Sequence, residues 1–135
     1  MTRTYVDSGV LIWAARGVGD LARRAMQILD DPERSFASSV FVKLETIPKS
    51  EHFRRRREVA LYQSYFDGCS RWARMSEALA TAALEEACHH GLAAMDALHV
   101  VAAWAAEVDE IVTSEKATKP IHRTDRVRVV SLRPT

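Results

Sequence analysis

The hydrophobic pattern alternates between short apolar runs and longer stretches with helical spacing. Short runs typical of buried strands occupy residues 4–6, 34–37, 110–113 and 127–132, and the alternating stretch 71–75 predicts a fifth strand. Strands that are separated by helices favour a mostly parallel sheet whose two faces are both covered. The pattern therefore predicts an α/β fold, a three-layer sandwich with a mostly parallel central sheet flanked by helices.

The helices between these strands have recognisable starts and stops. Asp20 is placed to cap a helix that ends before Pro32, and Pro48 should kink or end the helix that begins near Val40. Ser76 is an N-cap signal, and Gly91 is typical of the residue that closes a helix. The predicted helical stretches are 10–15, 20–31, one from 40, 52–69, 76–91 and 92–107.

Composition narrows the class of protein without naming a partner. A length of 135 residues fits a single domain spanning 1–135, and a net charge of +1 singles out no partner by global electrostatics. The N-terminus lacks a signal-peptide pattern, and the apolar region 92–106 is too short and too interrupted to cross a membrane. We therefore expect a cytoplasmic protein with no membrane partner, whose Cys69 and Cys88 are free, buried thiols.

The predicted helix 92–107 contains an acidic residue that needs an explanation. It is apolar all round except for Asp96 and His99, so it should be buried. A buried carboxylate must be neutral, hydrogen-bonded or paired with a cation. Asp96 therefore predicts either a local hydrogen bond or a nearby positive charge.

Three other acidic residues should lie near Asp96. In a parallel α/β sheet, strand ends and the first turns of the following helices meet at the carboxyl edge. Asp7 and Glu115 follow predicted strands, and Glu45 lies in the second turn of a helix. Four converging carboxylates would repel one another, and Mg²⁺ or Mn²⁺ bound through oxygen would offset that repulsion. Such a site suits hydrolysis of nucleic acid.

In the segments that contain these acidic residues, the chain resembles the PIN-domain family, in particular the VapC-type toxins of bacterial toxin–antitoxin pairs. The matching segments, in the family's order, are YVDSGVLIW, SSVFVKLETIPKS, MDALHVVAA and IVTSEK. The resemblance implies a PIN-like fold and a metal-dependent endoribonuclease that uses Mg²⁺ or Mn²⁺. It also implies RNA as substrate, an antitoxin protein as partner, and a homodimer.

The resemblance also assigns roles to individual residues. Asp7, Glu45 and Asp96 fall on the family's three core acidic positions, and Glu115 falls on the fourth, where Asp is more common. Ser8 and Thr113 match hydroxyl residues that support the site.

The chain departs from the family pattern at two positions. Gly9 stands where Asn or Ser is frequent, and Glu115 is longer than Asp by one methylene. These departures leave open an alternative, a catalytically weak or inactive PIN-like module that binds RNA or a partner protein.

Each candidate residue also has a simpler interpretation. Asp7 is suited to capping the next helix, Glu45 to a solvated helix face, and Glu115 to a surface loop. His99 is expected to be a hydrogen-bonded core residue outside the metal site.

Two further groups of residues each have more than one interpretation. Arg54, Arg55, Arg56 and Arg57 should point in all directions around a helix, so they are either a solvated face or a contact for RNA or an acidic antitoxin segment. Cys88-His89-His90 resembles a metal motif without a second ligand pair, and its position at a helix end suffices to explain it.

An acidic pocket at a sheet edge also occurs in phosphoryl-accepting receiver domains, although the position of Lys116 beside Glu115 fits that class poorly.

Overall fold

Five strands and six α-helices follow one another in a computed structural model that describes residues 1–134. The strands are β1 Thr2–Val6, β2 Arg34–Ser38, β3 Arg71–Trp72, β4 Glu110–Thr113 and β5 Arg128–Ser131. The helices are α1 Ser8–Arg16, α2 Asp20–Leu29, α3 Val40–His52, α4 Arg56–Gly68, α5 Glu77–His90 and α6 Ala94–Ala105. A short 3₁₀-helix, Pro120–Arg123, which the hydrophobic pattern did not predict, lies between β4 and β5.

The strands form one sheet in the order β3-β2-β1-β4-β5, and every pairing between them is parallel. The chain moves outward from β1 to β3 and then returns to β4, on the other side of β1. The strand order therefore reverses between β1 and β4, and such a reversal opens a crevice at the carboxyl ends of the strands. The predicted α/β sandwich with a parallel central sheet is confirmed.

The core is centred on the middle of the sheet. Tyr5 and Val6 of β1 and Ile111 and Val112 of β4 have no exposed surface. Strands in such a sheet are covered on both faces, which is why their sequences are continuous apolar runs. This rigid centre fixes the residues that follow β1 and β4 directly.

Helix α3 differs from its prediction because it continues through Pro48 to His52. Proline removes the amide that would bond the carbonyl of Leu44, and Leu44 is 62% exposed, so water can reach that side of the helix. Helix α3 therefore does not end at Pro48, and it holds Glu45 well inside a helix.

Other boundaries shift by a few residues. The predicted strand 71–75 is reduced to Arg71–Trp72, and α4 starts only at Arg56 because Arg54 adopts a left-handed φ of 56°. Helix α6 begins at Ala94, so Asp96 lies in its first turn. Ser76 caps α5 by accepting from the amide of Leu79 at 3.1 Å, as predicted.

The structure also describes the state of the two cysteines and the length of the helices. Cys69 and Cys88 are both free, as predicted, but the expected burial is wrong, since Cys69 is half-buried and Cys88 is exposed. Within residues 1–134, the helices are too short and too polar to serve as membrane spans.

Candidate metal centre

Asp7 is held at the carboxyl end of β1, beside β4. Its backbone amide donates to the carbonyl of Val112 at 2.9 Å, and Thr113 Oγ1 donates to Asp7 Oδ2, also at 2.9 Å. The residue is 8% exposed and makes no side-chain hydrogen bond to the start of α1. Asp7 is therefore not a side-chain helix cap, because its carboxylate is oriented by Thr113 and faces the crevice.

Glu45 reaches the same crevice from α3. Its Oε1 accepts hydrogen bonds from Ser8 Oγ at 2.7 Å and from His99 Nε2 at 2.5 Å. The hydrogen bond from His99 lowers the pKa of Glu45 and outweighs the opposing effect of partial burial. Glu45 is therefore a fixed carboxylate rather than a freely solvated one.

His99 joins these two acids in one cluster. Its Nε2 lies 3.8 Å from Asp7 Oδ1, and one ligand atom from each of Asp7, Glu45 and His99 lies within 4.8 Å of the other two. His99 is 1% exposed. His99 is a hydrogen-bonded core residue, as expected, and it lies beside two of the candidate acids because α6 presents it on the same face as Asp96, three residues earlier. That spacing was the signal available in the sequence.

The imidazole of His99 has a defined orientation. Its Nδ1 lies 2.8 Å from the hydroxyl of Tyr5, which lies 2.7 Å from Ser39 Oγ. An ionised carboxylate only accepts, so Nε2 carries the proton towards Glu45. Burial lowers the pKa of His99, but the hydrogen bond to Glu45 and the charges of Asp7 and Asp96 outweigh burial and raise it above 6.5.

Asp96 and Glu115 lie near this cluster, but they are not among the residues whose ligand atoms lie within 4.8 Å of one another. Burial raises the pKa of Asp96 above its ordinary 3.8, and the charges of Asp7 and Glu115 raise it further. Glu115 is fixed through its backbone, since its amide donates to Thr113 Oγ1 at 3.1 Å and its carbonyl accepts from Ser131 Oγ at 2.6 Å. The acids are thus coupled electrostatically, with Asp7 and Glu45 sharing one imidazole.

Gly9 is enclosed by a side chain from the loop after β4. A Cβ built on Gly9 would lie 2.3 Å from Ser114 Oγ. The hydroxyl of Ser114 therefore occupies the space in which a side chain at position 9 would begin. Position 9 lacks a polar side chain, but Ser114, from the loop after β4, places a hydroxyl group at the same point.

The four arginines lie at the turn between α3 and α4 rather than around one helix. Arg54 and Arg55 precede α4, and Arg56 and Arg57 begin it. All four are exposed, and Arg55 lies 3.9 Å from Glu58 and over the ring of Phe53. The expected helical distribution is wrong because the left-handed Arg54 ends the preceding helical path.

The donor set favours a hard divalent cation. Within residues 1–134, Asp7, Glu45, Asp96 and Glu115 form no ion pair with lysine or arginine, and His99 is the nearest basic partner of the first two. Carboxylate oxygens suit Mg²⁺ and Mn²⁺. This arrangement can hold a cation and stabilise charge on a phosphodiester.

Known proteins resemble this chain in fold but not in sequence. No protein-family model matches the sequence, and no curated protein matches it either. A chain of the Klebsiella pneumoniae toxin–antitoxin complex is similar in structure, with a TM-score of 0.71, 16% identity, and coverage of 98% of this chain and 99% of that one.

Two further solved structures give similar values. A chain of DNA-bound VapBC from Salmonella typhimurium has a TM-score of 0.69 and 14% identity, over 98% of this chain and 99% of that one. A chain of VapBC2 from Rickettsia felis, bound to a promoter DNA fragment, has a TM-score of 0.69 and 12% identity, over 96% and 98%. The chain therefore shares the fold of proteins in solved toxin–antitoxin complexes, which confirms the fold that the resemblance to VapC-type PIN domains predicted.

Proposed function

We propose that this chain is a VapC-type toxin that hydrolyses RNA phosphodiesters as a metal-dependent endoribonuclease. The observation that supports it best is the convergence of Asp7, Glu45 and His99 at the carboxyl edge, with Asp96 and Glu115 close enough to affect one another's charge. A cluster of carboxylates without an arginine or lysine partner is unfavourable unless a cation binds. A crevice where the strand order reverses is also where such sheets bind ligands.

The residues present fit a divalent cation of the Mg²⁺ or Mn²⁺ class. The pKa of Asp96 is raised partly by the like charges of Asp7 and Glu115, and a cation between them would remove that repulsion. Asp7, Glu45 and Asp96 would hold the cation, and Glu115 would complete the set. A bound cation would supply Lewis-acid stabilisation of charge developing on the phosphodiester.

The chain's own residues would then position the acids. Thr113 holds Asp7 through Oδ2, which leaves Oδ1 directed towards the crevice, and Ser8 and His99 hold Glu45 through Oε1. Hydrogen bonds of this kind fix the orientation of carboxylate ligands. His99 keeps a proton at Nε2, between the two acids.

The partners follow from the same proposal. Arg54, Arg55, Arg56 and Arg57 would contact the phosphates of RNA or an acidic segment of an antitoxin. The similar chains come from toxin–antitoxin complexes, which supports an antitoxin partner for this chain. A homodimer and a cytoplasmic location belong to the proposal as expectations from the resemblance.

One observation favours the alternative, an inactive PIN-like module that binds RNA or a partner protein. The hydrogen bond from His99 supplies Glu45 with a positive partner from within the chain. Such an acid needs a metal less than an unpartnered one does. Calorimetry with Mn²⁺ separates the two functions, since absence of heat at millimolar metal favours the inactive module.

The decisive test is cleavage of a panel of structured RNAs with Mg²⁺ or Mn²⁺. We expect the wild type to cleave at least one of them, and Asp7→Ala and Asp96→Ala to lower the rate by about 10²–10³-fold, the equivalent of several kcal/mol of charge stabilisation. Asp109→Asn, an acid at the opposite edge of the sheet, is the matched control and should cleave normally. Equal cleavage by all variants, or none by the wild type, would contradict the proposal.

A further inference from the structure

A second group of metal-ligand side chains lies outside the acidic centre. His89 and His90 form the last turn of α5, and Asp125 follows the 3₁₀-helix. One ligand atom from each of the three lies within 4.8 Å of the other two, and we call them the histidine cluster. The sequence offered two adjacent histidines without a further ligand, and the fold brings the third from 35 residues away.

The distances from His90 to the neighbouring carboxylates suit a shared ion better than direct hydrogen bonds. His90 Nε2 lies 3.4 Å from Glu86 Oε2 and 3.7 Å from Asp125 Oδ2. Strong hydrogen bonds between imidazole and carboxylate are shorter, at about 2.7–2.9 Å. Around a tetrahedral ion with bonds of about 2.0–2.1 Å, neighbouring donor atoms lie about 3.3–3.4 Å apart. The 3.4 Å between His90 and Glu86 matches that spacing, the 3.7 Å between His90 and Asp125 exceeds it slightly, and the ligand atom of His89 lies within 4.8 Å of those of His90 and Asp125.

The surroundings favour a cation at this position. The carboxyl end of α5 carries the negative end of the helix dipole. Glu86 is 4% exposed and is held in place by Arg126 Nε at 2.7 Å and Thr124 Oγ1 at 3.2 Å. The positive charge of Arg126 is directed to the other oxygen of Glu86 and to the ring of Trp104. An open surface groove of about 840 Å³, lined by the histidine cluster together with Glu86 and Arg126, leaves room for the ion and its water.

We propose that His89, His90 and Asp125 bind a transition-metal dication of the zinc class, with the carboxylate of Glu86 beside it as a fourth side chain. Two imidazoles with carboxylate oxygens favour Zn²⁺ over Mg²⁺. The ion ties the end of α5 to the segment 124–126. Just before this segment, His122 of the 3₁₀-helix has its Nε2 3.3 Å from the carbonyl oxygen of Glu115. The site therefore braces the chain that follows β4.

The test is a Zn²⁺ titration of tag-free protein in excess Mg²⁺, followed by long-range ¹H–¹⁵N spectra of the five histidines. We expect the signals of His89 and His90 to shift, and those of His52 and His122 to stay. Asp125→Asn should weaken Zn²⁺ binding by about tenfold or more, since even residues behind the ligands change metal affinity by about 10–100-fold. Asp67→Asn, another exposed aspartate, is the matched control and should bind as the wild type does.

Two results would overturn the proposal. The first is a titration in which Zn²⁺ shifts only His99, because the metal then enters the acidic centre alone. The second is equal Zn²⁺ affinity in Asp125→Asn and Asp67→Asn. Asp125 is exposed, so its substitution leaves the fold intact even where replacing His90 does not. Neither result bears on RNA cleavage, which tests the acidic centre separately.

Discussion

The two edges of the central sheet both hold buried or half-buried acids, but they treat them differently. At the amino edge, Arg34 Nε lies 3.1 Å from Glu110 Oε2, and Thr4 Oγ1 donates to the same oxygen at 2.9 Å. Asp109, beside it, accepts from both the amide and the guanidinium of Arg3. Glu110 and Asp109 of the amino edge are therefore each matched with an arginine.

At the carboxyl edge the acids have hydroxyl groups and one imidazole instead. Asp7 accepts from Thr113, and Glu45 accepts from Ser8 and His99. Hydroxyl groups orient a carboxylate without neutralising it. Burial alone does not distinguish the acids of the candidate site, since Glu110 is as buried as Asp7. The identity of the partner separates the two edges.

The largest effect on stability is expected at the amino edge. Arg34→Ala should lower the free energy of unfolding by about 3 kcal/mol, because it leaves the buried carboxylate of Glu110 without its cation. Urea unfolding with a chelator present measures the change. Lys49→Ala, an exposed site on α3, is the control and should unfold as the wild type does. A loss no larger than that of the control would mean that Glu110 does not need its arginine.

A smaller effect is expected from close packing at the carboxyl edge. Gly9→Ala forces Ser114 Oγ out of its position, which costs about 0.5–1.5 kcal/mol for a displaced rotamer. The same substitution in a Ser114→Gly background avoids that cost, so the two changes should be coupled by a similar amount. A double-mutant cycle in urea measures the coupling. Additivity of the two substitutions would show that Ser114 moves away freely.

The sequence was sufficient to predict the convergence at the carboxyl edge because topology determines it. Apolar runs such as 110–113 mark buried strands, and the residue after each strand must lie at the same edge of a parallel sheet. Asp7 could therefore be assigned to the crevice before any contact was known. The roles of Glu115 as a ligand and of the arginines as phosphate contacts stay predictions.

Pairings between distant residues could not be read in the same way. The contacts of His99 with Tyr5 and Glu45 span 94 and 54 residues and depend on how α3 and α6 approach β1. No local pattern encodes such an approach. Asp125 joins His90 for the same reason, through a 3₁₀-helix that has no hydrophobic periodicity. Side-chain partners, unlike strand ends, require the packed structure.

Removing one acid should have opposite consequences at the two edges. Asp96→Asn should raise the stability of the metal-free protein at pH 7.5 by about 0.5–1 kcal/mol, a gain typical of relieving unfavourable charge. Asp109→Asn should give no gain, since Asp109 has a favourable partner in Arg3. Thermal unfolding in chelator compares the two variants. A loss of stability in Asp96→Asn would mean that its carboxylate is not repelled.

The smallest expected effect is the pH dependence of the His99–Glu45 pair. The pKa of His99 is raised, so its stabilising effect is complete below pH 6.5 and is lost as the pH rises through the raised value. The pKa of Glu45 is lowered, so its effect is present above pH 4.5 and is lost as the pH falls through the lowered value. The metal-free protein should therefore lose stability as the pH rises above 6.5 and through the raised pKa of His99, as measured by urea unfolding.

Glu45→Gln separates this effect from the rest of the chain. The amide removes the negative partner of His99, so its slope of stability against pH over the same range should be shallower than that of the wild type. Glu51→Gln, an exposed position on the same helix, should keep the wild-type slope. Saturating Mn²⁺ should reverse the trend in the wild type, because metal ligands bind best when deprotonated. Equal slopes in the wild type and Glu45→Gln would show that His99 does not act as the positive charge of the carboxyl edge, and the distinction between the two edges would then rest on a bound cation alone.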